Sequence, residues 1–146
     1  MRVWATLRAR IRSSELAFRM QTAVPELLKF DSEQPEIRKM YGLDQDVTRP
    51  FGQQLLAARR MVERGVRFVQ VWHGEGQPWD SHDDIEVNHR RLAGECDQAI
   101  GALIKDLKQR GMLDDTLIVW AGEFGRTPMS QGGNGRDHHN KAMSVW

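Results

Sequence analysis

Two short apolar runs bracket one long amphipathic stretch, and this arrangement constrains the chain most. Val66–Trp72 alternates apolar and polar residues before turning mostly apolar. Thr116–Ala121 is an almost continuous apolar run. Between them, Ile85, Leu92, Cys96, Ala99, Leu103 and Leu107 recur at helical spacing, and Ile100 and Ile104 widen the stripe. Period-two patterning predicts a strand over 66–72, and the short apolar run predicts a second over 116–121. A long helix is expected from about Asp83 to Arg110. Asp83 and Glu86 have capping-box spacing, Lys105, Lys108 and Arg110 crowd the last turn, and Gly111 supplies the stop. Strand, helix, strand reads as a crossover unit, so the expected class is α/β with a mostly parallel sheet. In such sheets ligands gather where strands end.

The rest of the chain is less regular. A helix is expected over 1–24, with Leu7, Ile11, Leu16, Phe18 and Met20 apolar and Ser13–Ser14 as a break point. From Pro25 to Pro50 the sequence is punctuated by Pro25, Pro35, Gly42 and Pro50, which predicts short turns and one helical stretch over Glu36–Tyr41. Gln53–Arg64 reads as helix, with Leu55, Leu56, Met61 and Val62 apolar and Gly65 as its stop. The organisation expected is a surface-wrapping segment over 1–50 and a core segment over 51–146.

Composition excludes several classes. With 21 basic and 20 acidic residues, the chain offers neither a nucleic-acid footprint nor a polybasic anchor. No run reaches the length of a membrane span. The lone Cys96 excludes an internal disulfide and a multi-cysteine zinc site, and it reads as a small core residue. The last residues, Lys141–Trp146, open a new apolar segment and stop, which reads as a piece of a longer protein.

Three polar clusters sit after the core runs. Asp80 and His82, two apart, suit zinc, iron or manganese; the alternative is a cap on the long helix. Glu123 follows the second run directly, and either binds metal, does acid–base work, or pairs with Arg126 or Arg136. Arg126 either grips an anionic ester or bridges to Glu123. Beyond a glycine-rich tract come Asp137, His138 and His139. Adjacent residues of an extended segment point apart, so one histidine faces a metal, and His138 is the choice. Phe124 is read as core, while His73 and His89 read as incidental.

With those residues in view, the chain resembles the DUF1501 family, a group within the alkaline-phosphatase and sulfatase-like superfamily. Glu123-Phe124-Gly125-Arg126-Thr127-Pro128 followed by Gly135-Arg136-Asp137-His138 carries the resemblance, with Trp79-Asp80-Ser81-His82 and the block from Ala57 to Val69. Glu15–Gln21 and Tyr41–Asp44 extend it over nearly the whole chain. The resemblance implies a truncated alkaline-phosphatase-like three-layer sandwich and a metal-dependent hydrolase of phosphate or sulfate esters. It implies a divalent metal (zinc, manganese, iron or calcium) on Asp80, His82 and His138, with Glu123 in a second, altered site. That site is altered because Phe124 stands where the superfamily has histidine. Arg126 and Arg136 would bind the anion of a small ester or polysaccharide, and Asp137 and His139 are additional candidates. The family's nucleophile has no counterpart here, so the chain alone is expected to be inactive and to need the remainder of its own domain. Export to the periplasm or beyond is also implied by the resemblance. The rival expectation is a non-catalytic metal-binding or structural relative.

Overall fold

The computed structural model describes residues 2–130 and 132–146, apart from some side chains of the first helix. The chain divides into two compact units, Met1–Gln34 and Pro35–Trp146. The first is built on one helix, α1 (Arg2–Leu27), ending in a short 3-10 turn at Phe30–Ser32. Ser13–Ser14 does not break α1, and Pro25 falls in its last turn. Trp4, Leu7, Ile11 and Phe18 are all exposed along it. Leu16 and Met20, expected on its apolar face, have side chains outside those described.

The second unit is organised by a pair of helices. After α2 (Pro35–Met40) come α3 (Arg49–Glu63) and α4 (Ile85–Gln109), which pack on each other. Leu55 and Leu56 of α3 are buried, as are Leu92, Cys96, Ala99, Ala102 and Leu107 of α4. Small residues at 99 and 102 give α4 a close-packing face, while Ile104, expected to widen the stripe, stays exposed. Tyr41 and Leu43 complete the core from the turn after α2.

Each long helix ends as its glycine dictates. Gly65 and Gly111 have φ of +87° and +68°, values that L side chains resist. Around Gly111, Met112 N–H donates to Leu107 O at 2.8 Å and Gly111 N–H to Lys108 O at 3.1 Å. The same double closure follows Gly65, where Val66 N–H donates to Met61 O and Gly65 N–H to Val62 O. These are Schellman motifs, and they satisfy carbonyls that the helix leaves open.

A buried ionic network ties the helices together. Asp106, 1% exposed, accepts from Tyr41 Oη at 3.1 Å and from Arg110 Nε at 2.7 Å, and lies 2.9 Å from Arg59 Nε. Arg59, itself buried, also donates to Glu63 at 2.7 Å. Burial first, then the Asp106 carboxylate, push the Tyr41 phenol far above its ordinary value.

The expected parallel three-layer sandwich is overturned. The described residues are mostly helical, and their one sheet is a two-stranded antiparallel pair, β1 (Gly125–Arg126) with β2 (His138–His139). Val66–Trp72 and Thr116–Trp120 form no ladder strand. Alternation and apolarity report what a strand's side chains favour. A strand exists only where a neighbour takes up its N–H and C=O groups. Here the two runs carry exposed apolar side chains, with Phe68 82% and Leu117 89% exposed. The second run meets another extended segment at its end, where Trp120 and Trp146 exchange backbone hydrogen bonds at 2.6 and 2.9 Å and Ala121 bridges Val145. The capping box at Asp83 and Glu86 does not form either. Asp84 is the α4 cap residue, in a left-handed conformation with φ of 47° and no side-chain cap bond.

Candidate metal centre

The site is assembled by two loops laid against each other. Residues 79–84 lead into α4, and residues 124–130 and 132–139 belong to the β1–β2 hairpin that folds back on them. Arg136 N–H donates to Ser81 O at 2.8 Å, and Ser130 Oγ donates to His82 O at 3.3 Å. Thr127 N–H donates to Asp137 O, and Asp137 N–H to Thr127 Oγ1, both at 2.9 Å. The two loops touch backbone to backbone at Gly135, where a Cβ would fall 1.8 Å from the His82 carbonyl oxygen. Only glycine permits that approach. The sheet register sets Arg126 directly opposite His138, so both side chains reach the same face.

That face meets Asp80. His138 Nε2 lies 3.0 Å from Asp80 Oδ1 and His82 Nε2 lies 3.2 Å from the same oxygen. One ligand atom each from Asp80, His82 and His138 falls within 4.8 Å of the others. His82 is held from behind, its Nδ1 3.0 Å from Asp137 Oδ1. A carboxylate there favours the proton on Nδ1 and leaves the Nε2 lone pair facing the cluster. The His138 ring packs on Phe124, with centroids 4.6 Å apart. Arg126 completes the arrangement, with Nη1 donating to Asp80 Oδ1, Nη2 donating to Glu123 Oε1 at 2.6 Å, and Cζ 5.2 Å from the Phe124 ring. Burial works to raise the Asp80 carboxyl, but the His138 and Arg126 hydrogen bonds and their charge hold it below its ordinary value.

The family profile described as "Protein of unknown function (DUF1501)" matches residues 3–146. The chain belongs to the DUF1501 family. No curated protein and no solved structure matches it.

In this DUF1501 chain the residues singled out from sequence separate into groups. Asp80, His82 and His138 converge. Asp80 does not cap α4, whose cap position is Asp84. Glu123 stands outside the converging group, 58% exposed and paired with Arg126. Asp137 acts one layer out, on His82. His139 turns away and accepts the Lys141 N–H at 3.2 Å, as side-chain alternation requires. The Arg136 backbone ties the hairpin to Ser81, but its guanidinium donates to the neighbouring Gly135 carbonyl at 2.6 Å. Phe124 is half-buried beside the site and is not a core residue.

Two histidines read as incidental have positions of consequence. Trp79 Nε1 donates to His73 Nδ1 at 3.0 Å, and His89 Nε2 lies 3.2 Å from the Trp79 carbonyl. The Trp79 ring therefore sits between two imidazoles, 5.6 and 5.1 Å from their centroids. This clamp fixes the residue immediately before Asp80. His73 is kept below its ordinary value by burial, against the opposing pull of Glu95 and with help from Arg91. The signal for His89 was available in the sequence. Ile85, His89, Leu92 and Cys96 share one stripe of α4, so His89 faces inward. His73 lies in an irregular glycine-rich loop and gives no comparable sign.

Proposed function

We propose that the chain binds one divalent metal ion on Asp80, His82 and His138 and serves metal-dependent hydrolysis of phosphate or sulfate esters. The observation that carries this is the convergence of those three ligand atoms, with Asp137 orienting His82. Ligand atoms around a tetrahedral metal with bonds of about 2.0–2.2 Å stand about 3.3–3.6 Å apart. The separations of 3.0 and 3.2 Å from Asp80 Oδ1 are a few tenths of an ångström short of that, while the group as a whole spans up to 4.8 Å, so the two imidazoles must also close on each other. Two imidazoles and one carboxylate favour zinc, manganese or iron, and disfavour calcium, which takes oxygen ligands. A metal held there supplies Lewis acidity toward an ester oxygen and lowers the pKa of bound water. Arg126 contributes a guanidinium beside the cluster, matched to a tetrahedral oxyanion. The resemblance to the alkaline-phosphatase and sulfatase-like superfamily supports the ester class.

A second reading rests on a specific contact. Glu123 is paired with Arg126 and Phe124 carries no ligand atom, so the residues expected to form a second metal site do not assemble one. A relative that keeps one metal for structure or binding fits that observation.

Elemental analysis of the chain and of its His138→Ala variant, followed by an ester screen on the metal-loaded chain supplied with the remainder of its domain, tests both readings. Stoichiometric zinc, manganese or iron that is lost in the variant, with ester turnover, supports the hydrolase. Stoichiometric metal without turnover supports the second reading. No metal in either protein refutes both.

A further inference from the structure

Asp80 Oδ1 faces three nitrogen groups at once: His82 Nε2 at 3.2 Å, His138 Nε2 at 3.0 Å and Arg126 Nη1. This is also the oxygen that joins the two imidazoles in the candidate metal centre. A guanidinium and a dication cannot share one carboxylate oxygen without strong repulsion. Arg126 has a second anchor, because its Nη2 is held by Glu123 Oε1 at 2.6 Å. It also has a ring to lie on, with Cζ 5.2 Å from the Phe124 centroid. Releasing Asp80 therefore does not strand the arginine. It keeps one ion pair and one ring contact, and gains a free Nη1 edge aimed at the centre.

We propose that Arg126 is a built-in competitor for the Asp80 ligand position, so that metal binding displaces its Nη1 and an oxyanion that takes the displaced guanidinium tightens metal binding. The inference rests on the metal-site reading above and adds its regulation. Asp80 is the shared element. While Arg126 covers Oδ1, the cluster is neutralised internally and metal affinity is held down. A tetrahedral oxyanion offers the guanidinium a better partner, because paired N–H donors match paired oxygens. Metal and oxyanion then bind with positive coupling, and thermodynamic linkage requires each to strengthen the other by the same factor. Glu123 is the resting partner of the arginine in this scheme, which accounts for its place outside the converging group.

The test is zinc affinity, measured by competition with a chromophoric chelator, in sulfate and in chloride at matched ionic strength. The wild-type chain is compared with Arg126→Met and Arg126→Gln. Both variants keep the backbone pairing with His138, and far-UV circular dichroism checks their folding. Wild-type zinc binding is expected to tighten severalfold in sulfate. In chloride the variants are expected to bind zinc about tenfold more tightly than wild type, within the usual range of a coupling between two sites. They are expected to lose the sulfate response. Variant affinity equal to or weaker than wild type overturns the competition. A sulfate response that persists in the variants also overturns it, because sulfate would then act on the metal directly. Absence of zinc binding in every protein and buffer instead refutes the underlying metal-site reading.

Discussion

Replacing Asp106 with leucine is the most demanding test of how the α3–α4 pair is held. The carboxylate is 1% exposed and serves three groups. Arg110 suffers least, since it is 31% exposed and keeps Glu63 at 2.8 Å. Tyr41 is fully buried and loses the acceptor it has at 3.1 Å, a loss that costs about 1–3 kcal/mol for a buried hydroxyl. Arg59 is left as a buried cation whose remaining carboxylate, Glu63, is 41% exposed. Removing one partner of a fully buried ion pair costs about 3–5 kcal/mol, and the surviving Glu63 contact offsets part of that. The expected total is about 3 kcal/mol, or roughly 2 M in urea midpoint for a slope near 1.5 kcal/mol per M. Urea titration followed by far-UV circular dichroism reads it directly. Adding Arg59→Met and Tyr41→Phe to the leucine variant removes both polar groups that faced the carboxylate, and most of the lost stability should return. A single-variant loss below about 1 kcal/mol refutes the reasoning, because the carboxylate would then not be what satisfies the Tyr41 hydroxyl and neutralises Arg59.

Three further outcomes follow from the same contacts. Asp137→Ala frees His82 from its orienting bond, and metal affinity in a chelator competition should fall by about 10- to 100-fold with little change in helix content. Gly135→Ala places a methyl group against the His82 carbonyl, so the hairpin must move off the loop, and metal binding should be lost while α3 and α4 stay folded by circular dichroism. His73 is held below its ordinary value near 6.5, so the folded state binds fewer protons there than the unfolded state. Its contribution is present above that pH and is lost as pH falls through the depressed folded value. The melting temperature should therefore drop on acidification below about pH 6.5, and the drop should be smaller in His73→Phe.

The helices were legible because their determinants are local. The Leu92, Cys96, Ala99 and Leu107 spacing, with Gly111 in a left-handed conformation behind it, gave α4 nearly to its ends. Gly65 gave the end of α3 likewise, while its start, expected at Gln53, lies at Arg49. Side-chain alternation in an extended segment let only one of His138 and His139 face a common site, and the hairpin sets the two rings on different partners. The candidate ligands Asp80, His82 and His138 were legible as residue types in loops after core runs.

What the sequence left open depends on partners distant along the chain. Whether Val66–Trp72 is a strand turns on a neighbouring strand, which no pattern inside the segment contains, and the described residues provide none. The fate of Glu123 turned on its ion pair with Arg126. Asp137 looked like a ligand, and only the packing of the hairpin on the 79–84 loop showed it behind His82. The sequence by itself determined that α3 and α4 are helices, their glycine stops and the residue types of the candidate ligands, because those follow from spacing and backbone conformation. Tertiary structure alone decided which side chains share an oxygen, because that depends on loops brought together across some 58 residues of chain between Asp80 and His138.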